Sequence, residues 1–166
     1  MPTTYEPIAT TTLGSATATV TFNSFANTFT DLIIVFKGGM DSAADNLYVR
    51  FNSDSGNNYS STRLHGNGTS ASSDRASNAS RINIDQSGYM DTNLNCVEIW
   101  HIFNYANTTT YKTTLARASE AGSGTAAGVG LWRNTNAITS ITLGGTGGGN
   151  LRTGSTFTLY GIKASA

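Results

Sequence analysis

Along most of the chain, apolar and polar positions alternate one for one. Ala16, Ala18, Val20 and Phe22 interleave with Thr17, Thr19 and Thr21, and Leu47, Val49 and Phe51 with Tyr48 and Arg50. A period of two sends successive side chains to opposite faces, so each stretch predicts a strand with one face toward a core. Residues 31–37 form instead a continuous, β-branched apolar run closed by Gly38 and Gly39, which predicts a central strand buried on both faces. The pattern places further strands at about 8–13, 59–64, 81–84, 94–103, 111–118, 126–132, 138–143 and 157–163. No dozen residues carry the i, i+3, i+4, i+7 stripe of an amphipathic helix. The abundant Thr, branched at Cβ, fits a pleated surface better than a helix. The one place for a helical turn is the Ala/Ser segment 70–80, where Ser72 or Asp74 could cap it.

Turn chemistry sits where the alternation breaks. Gly14, within 13–15, predicts a hairpin between the first two strands, and 54–58 and 105–109 predict two more. The Gly-rich run 144–150 predicts an exposed loop, and 65–80 a long irregular one. Many short strands with turn signals every 8–12 residues leave a sandwich or a barrel. Unequal strand lengths and the buried run 32–36 favour the sandwich. The expectation is therefore all-β: a two-sheet antiparallel β-sandwich, jelly-roll-like, in one domain over 1–166 with a short N-terminal arm at about 1–6.

Composition narrows the partners. Ten Lys+Arg balance ten Asp+Glu, and only 12% of the 166 residues are charged. No surplus of positive charge exists to displace counterions, so neither nucleic acid nor an anionic membrane is an expected partner. Solubility falls to hydroxyls and amides, since Thr, Ser and Asn together exceed a third of the chain. The longest apolar stretch, 32–36, is far short of the ~20 residues of a membrane-spanning helix. The N-terminus has no basic then apolar segment of a secretion signal, so synthesis in a cytoplasm is expected. Cys96, the one cysteine, lies in an apolar run and reads as a buried, inert thiol.

The search for chemistry finds little. Most Asp residues fall at strand ends beside Gly, Ser or Asn, where they cap turns. Glu98, inside an apolar strand, is the exception, and it predicts either a pair with an arginine such as Arg117 or an edge position. His65 and His101 lie apart from any nucleophile elbow and are too few for a zinc site. Residues 149–155 have the Gly-x4-Gly frame of a phosphate loop but lack its Lys and a following helix. Residues 52–56 echo a calcium loop without its distal Glu, so a turn is expected there. No catalytic residue, cofactor site or metal site is assigned. Aromatics remain as candidate binders: Trp132 with the adjacent Arg133 and Asn134, and Tyr5 in the N-terminal arm.

Several segments resemble small virion proteins of tailed bacteriophages, particularly those infecting cyanobacteria. They are Tyr5-Glu6-Pro7-Ile8-Ala9-Thr10 with Thr12-Leu13-Gly14-Ser15, Thr30-Asp31-Leu32-Ile33-Ile34-Val35, and Arg50-Phe51-Asn52 with Asn58-Tyr59-Ser60. The others are Asn104-Tyr105 with 107–113, Gly130-Leu131-Trp132-Arg133, and the closing run 154–164. None is a catalytic motif. The resemblance implies a non-enzymatic β-sandwich on the particle surface, made in the bacterial host cytoplasm. One placement is a capsid decoration (cement) protein, usually a homotrimer, seated on the major capsid protein. The alternative is a tail fibre or baseplate module that touches host-surface glycans. No coiled-coil heptads or shaft repeats accompany the sandwich, which favours decoration.

Overall fold

A computed structural model describes residues 4–42, 45–84, 90–93 and 96–163. Among them are eleven strands and no helix: β1 Tyr5–Thr12, β2 Thr19–Asn23, β3 Asp31–Gly38, β4 Leu47–Phe51, β5 Tyr59–Gly66, β6 Ala71–Ala79, β7 Cys96–Ile102, β8 Lys112–Glu120, β9 Gly124–Trp132, β10 Ser140–Gly145 and β11 Thr156–Ile162. Eight form one sheet in the order β1-β11-β3-β7-β8-β9-β5-β6, and three form a second, β2-β10-β4. Every pairing is antiparallel. The layers make the two-sheet antiparallel sandwich expected from the alternation, but an unequal one.

Alternation sets the inner faces. In β2, Val20 and Phe22 are buried while Thr19, Thr21 and Asn23 are exposed. On the polar side, threonines meet across the ladder, with Thr21 and Thr142 hydroxyls 3.1 Å apart and Thr12 and Thr156 likewise. Val20, Phe22, Val49, Phe51, Ile141 and Leu143 of the small sheet join Leu32, Ile34, Phe36, Trp100, Phe157 and Leu159 of the large one in a single cluster. Three strands cannot cover eight. Over β5 and β9 the cover is instead the segment 80–84, where Ile82 and Ile84 are fully buried. A Cβ on Gly130 would lie 2.6 Å from Ile82 Cγ2, and one on Gly128 2.9 Å from Ile84 Cγ2. Glycine in β9 is thus a matter of room, because this cover presses on the strand.

Several expectations change. Residues 81–84 form no strand; Ile82 makes an isolated bridge to Val49. The irregular 65–80 stretch and its helical turn are replaced by β6, an edge strand. Its Ser, Asn and Ala lack alternation because an edge strand with few covered side chains needs none. Asp74 caps nothing there: it pairs with Arg63 across β5 and β6. The 13–15 and 54–58 turns are not hairpins, since β1 and β2, like β4 and β5, belong to different sheets. Asn52 and Ser53, both at positive φ (50° and 56°), turn the chain off the end of β4 toward the other sheet. The 105–109 turn does join neighbours, β7 and β8. Of the glycine run 144–150, Gly144 and Gly145 end β10 and the rest forms a loop. β3 buries Leu32, Ile34 and Phe36 completely, whereas Ile33 and Val35 on its other face are half-buried. Tyr5 and Glu6 of the expected arm are the first residues of β1, and Lys163 binds Glu6 at 2.8 Å beside it. Of the rest of the arm, Thr4 accepts from the Lys163 amide at 3.2 Å, and 1–3 lie outside the described residues.

Candidate functional site

Among the described residues, one face of the large sheet meets no other layer, and ladder register lays its side chains in rows. The central row runs Tyr160, Ile33, His101, Leu115, Val129, Thr62, Arg75. One step along the strands is Thr158, Val35, Ile99, Arg117, Ala127, Leu64, Ser73. A step the other way are Thr113, Leu131 and Ser60, with Phe103 bonded to the Thr113 carbonyl at 3.1 Å. The strands β3, β5, β7, β8 and β9 each bury one parity inside and leave aliphatic side chains such as Ile33, Leu64, Ile99, Leu115 and Val129 on the other face. Leu64, Leu115, Val129, Tyr5 and Tyr111 are 65, 51, 52, 57 and 53% exposed and are the large exposed hydrophobics among the described residues. Leu64, Leu115 and Val129 stand together on this face.

The surface is hollowed. A depression of about 730 Å³ lies over Thr62, Arg75, Phe103, Leu115, Val129 and Leu131. A second, of about 400 Å³, is lined from Tyr5 on edge strand β1 to Ala127 on β9, passing Ile33, His101 and Leu115. For strands so far apart in the order to share one hollow, the sheet must curl. Hydroxyls of Ser60, Thr62, Thr113 and Ser77 rim it, and Arg75 and Arg117 project from it.

Ionisable groups elsewhere serve the scaffold. Burial opposes ionisation of Asp45, but bonds from Thr146, Gly147, Asn46 and Gly149 outweigh it and hold the carboxyl below its ordinary value. Those bonds, 2.6–3.3 Å long, wrap the glycine loop around one side chain. Burial lowers the Lys112 pKa; its Nζ donates to the Thr110 and Thr135 carbonyls at 2.8 and 3.0 Å, tying the ends of two loops together. Glu98 is fully buried on central strand β7 and accepts from Trp100 Nε1 at 2.9 Å. Neither the edge position nor the Arg117 pair expected for it exists, because Arg117 lies on the opposite face of the sheet. His101 Nε2 lies 3.0 Å from Asp31 Oδ2 and its ring stacks on Phe103. His65 Nε2 lies 2.6 Å from Ser72 Oγ, and its buried Nδ1 has no partner among the described residues. Among the described residues no three His, Cys, Asp or Glu gather to hold a metal ion. Cys96 is buried.

The four candidate binders do not converge. Trp132 is 1% exposed, stacked on Tyr59 with centroids 6.3 Å apart, and its Nε1 donates to Asp54 Oδ2 at 2.7 Å. Its ring therefore offers no face to a ligand. Arg133 is half-buried and donates to Ser60 Oγ, to the Asn57 carbonyl at 2.6 Å and to Asn78 Oδ1 at 3.0 Å, clamping β9 to the start of β5 and the end of β6. Asn134 accepts from the Asn136 amide at 2.9 Å, closing a turn. Tyr5 lines the open face, and Arg133 touches its rim through Ser60. The residues missed are Leu64, Leu115, Arg117 and Val129. Apolar members on both parities of 126–132 were the available signal.

No protein-family model matches the chain, and no curated protein matches it. Two solved structures show weak likeness over nearly its whole length. One is a protein of unknown function from Shewanella oneidensis MR-1, at 8% identity and TM-score 0.25, covering 98% of this chain and 77% of the other. The second is the catalytic domain of PdAgaC, at 6% identity and TM-score 0.27, covering 99% and 78%. Likeness at this level carries nothing about function.

Proposed function

We propose that this chain is a non-enzymatic structural protein of a tailed-bacteriophage particle, a capsid decoration protein that seats on the major capsid protein and strengthens the head. The reading rests on the resemblance of its segments to such proteins. The observation that carries it is the open sheet face, where Leu64, Leu115 and Val129 stand half or more exposed. An aliphatic surface of that kind gains free energy by being covered, at about 25 cal/mol per Å² of apolar area. Zero net charge allows many copies to crowd one lattice without self-repulsion.

The test is gold-labelled antibody on intact particles, paired with cosedimentation of the purified chain with heads stripped of it. Label on the head and saturable rebinding are expected. Label confined to the tail tip, with rebinding to host cells instead of heads, would replace this reading with the glycan-binding tail module.

A further inference from the structure

We propose that the open face takes an extended acidic segment of the major capsid protein, laid along a diagonal of three cations, Lys37, Arg117 and Arg75. This inference rests on the head reading above and names the chemistry of the partner at that face.

The chain is neutral, but the fold does not use its two signs alike. Of the ten acidic residues, all but Asp85, which lies outside the described residues, accept a hydrogen bond within the fold. Asp31, the one acid on the open face among the described residues, is held by His101 and the Asn104 amide. Of the ten Lys and Arg, Lys37, Arg75, Arg117 and Arg152 make no ion pair or side-chain hydrogen bond to a described residue. The first three stand exposed on the open face. Zero net charge therefore conceals a scaffold that engages its carboxylates and a face left positive.

Register puts those three cations in a line. A further row, Lys37, Val97, Ser119 and Thr125, lies one step beyond the row of Ile99 and Arg117. Lys37 is thus two strands and one step from Arg117, and Arg117 is three strands and one step from Arg75. At ~4.8 Å per strand and ~6.8 Å per step, these separations are about 12 and 16 Å on a flat sheet. Apolar hollows occupy the gaps. One of about 210 Å³ runs from Val97 and Ile99 to Arg117, and one of about 250 Å³ lies among Leu64, Leu115 and Val129. Cations and hollows alternate along the diagonal.

An extended segment matches that alternation. It rises ~3.4 Å per residue and shows every second side chain to one side. Carboxylates about four residues apart, with an apolar side chain midway, meet the cations and fill the hollows in turn. Apolar neighbours exclude water there, so each carboxylate meets its cation at a lower local dielectric than on an open rim. The hollowed surface also suits a narrow convex segment, where a flat layer would bridge over it. Nucleic acid wants a cationic track with stacking aromatics, which these aliphatic gaps interrupt. An acidic sugar polymer brings no aliphatic side chains for the hollows to bury.

The experiment returns the purified full chain to heads stripped of it and follows binding by cosedimentation. Native binding should weaken at least tenfold as salt rises from about 50 to about 500 mM. Arg75→Gln combined with Arg117→Gln should keep the native thermal transition and bind at least tenfold more weakly. Arg152→Glu, in the loop before β11, changes net charge by as much as that pair and should bind as the native chain does. Undiminished binding by the double variant would overturn the diagonal and leave the head reading intact. Native chain that fails to bind heads at all would defeat the head reading, and this segment with it. Retention on an alginate column without binding to heads would give the face to an acidic glycan. A carbodiimide, which joins an amine to a carboxylate with loss of water, locates the partner. Lys37 should couple to an acidic segment of the major capsid protein, since Lys112 is buried and Lys163 is held by Glu6. Coupling to heads through Lys163 alone would refute the placement.

Discussion

Trp132 tests most sharply how this fold uses its aromatics. The ring is buried between Tyr59 and Phe51, at centroid distances of 6.3 and 5.7 Å, and its N–H reaches a carboxylate. Asp54 also accepts from Asn58 at 2.9 Å and from the Gly56 amide at 2.8 Å. Burial opposes its ionisation, yet the bonds from Trp132, Asn58 and Gly56 hold its pKa below the ordinary value. Trp132→Ala removes a buried ring with its packing and should cost about 3–5 kcal/mol. Trp132→Phe keeps an aromatic ring but deletes one charge-assisted bond, worth about 1.5–3 kcal/mol, and leaves a small void. The assay is urea denaturation followed by far-ultraviolet circular dichroism. With a urea dependence of roughly 1–3 kcal/mol per molar, Trp132→Ala should lower the midpoint by one molar or more. A cycle with Asp54→Asn isolates the bond: coupling of at least about 1 kcal/mol is expected. If Trp132→Ala changed stability by less than about 0.5 kcal/mol, the value of an ordinary surface substitution, the burial described here would be wrong.

Two further outcomes follow from the scaffold. Gly130→Ala puts a methyl 2.5 Å from Thr114 Oγ1 and 2.6 Å from Ile82 Cγ2, so it should destabilise by about 1–3 kcal/mol in thermal unfolding, while Gly14→Ala, which meets nothing, should not. Asp45 and Asp54 have carboxyls held below their unfolded values, so their contribution is complete above about pH 4 and is lost as pH falls through the lowered folded values. Urea midpoints should thus hold steady from neutral to mildly acid pH and then drop. Asp45→Asn should shallow that acid drop and expose the 145–150 loop to limited proteolysis; an unchanged acid limb would count against the loop's dependence on this carboxylate.

Residue types alone specified extended chain. Branched Thr at alternate positions and the absence of any helical stripe left β structure as the outcome, and the strands around Val20 and Val49 lie where the alternation put them, those around Ile34 and Trp100 where the apolar runs did. β6 was hidden because Ser72, Ser73 and Ser77 read as loop; a strand at an edge, with little to cover, carries no hydrophobic mark. Glu98 looked like an edge residue because ionised groups avoid cores, and only the order of the strands puts it at the centre.

The candidate surface was the least legible part. On β9 the buried parity is Ala126, Gly128, Gly130 and Trp132, while Val129 and Leu131 point outward, so local hydrophobicity indicates the wrong face. Parity is a local property, fixed by the pleat and readable from a few neighbouring letters. Which parity is inside depends on what arrives from elsewhere, here Ile82 and Ile84 pressing on the glycines and Leu115 and Thr62 standing alongside in the ladder. Those partners are distant along the chain. Period two was written in the amino acids, but the choice of face belongs to the assembled sheets.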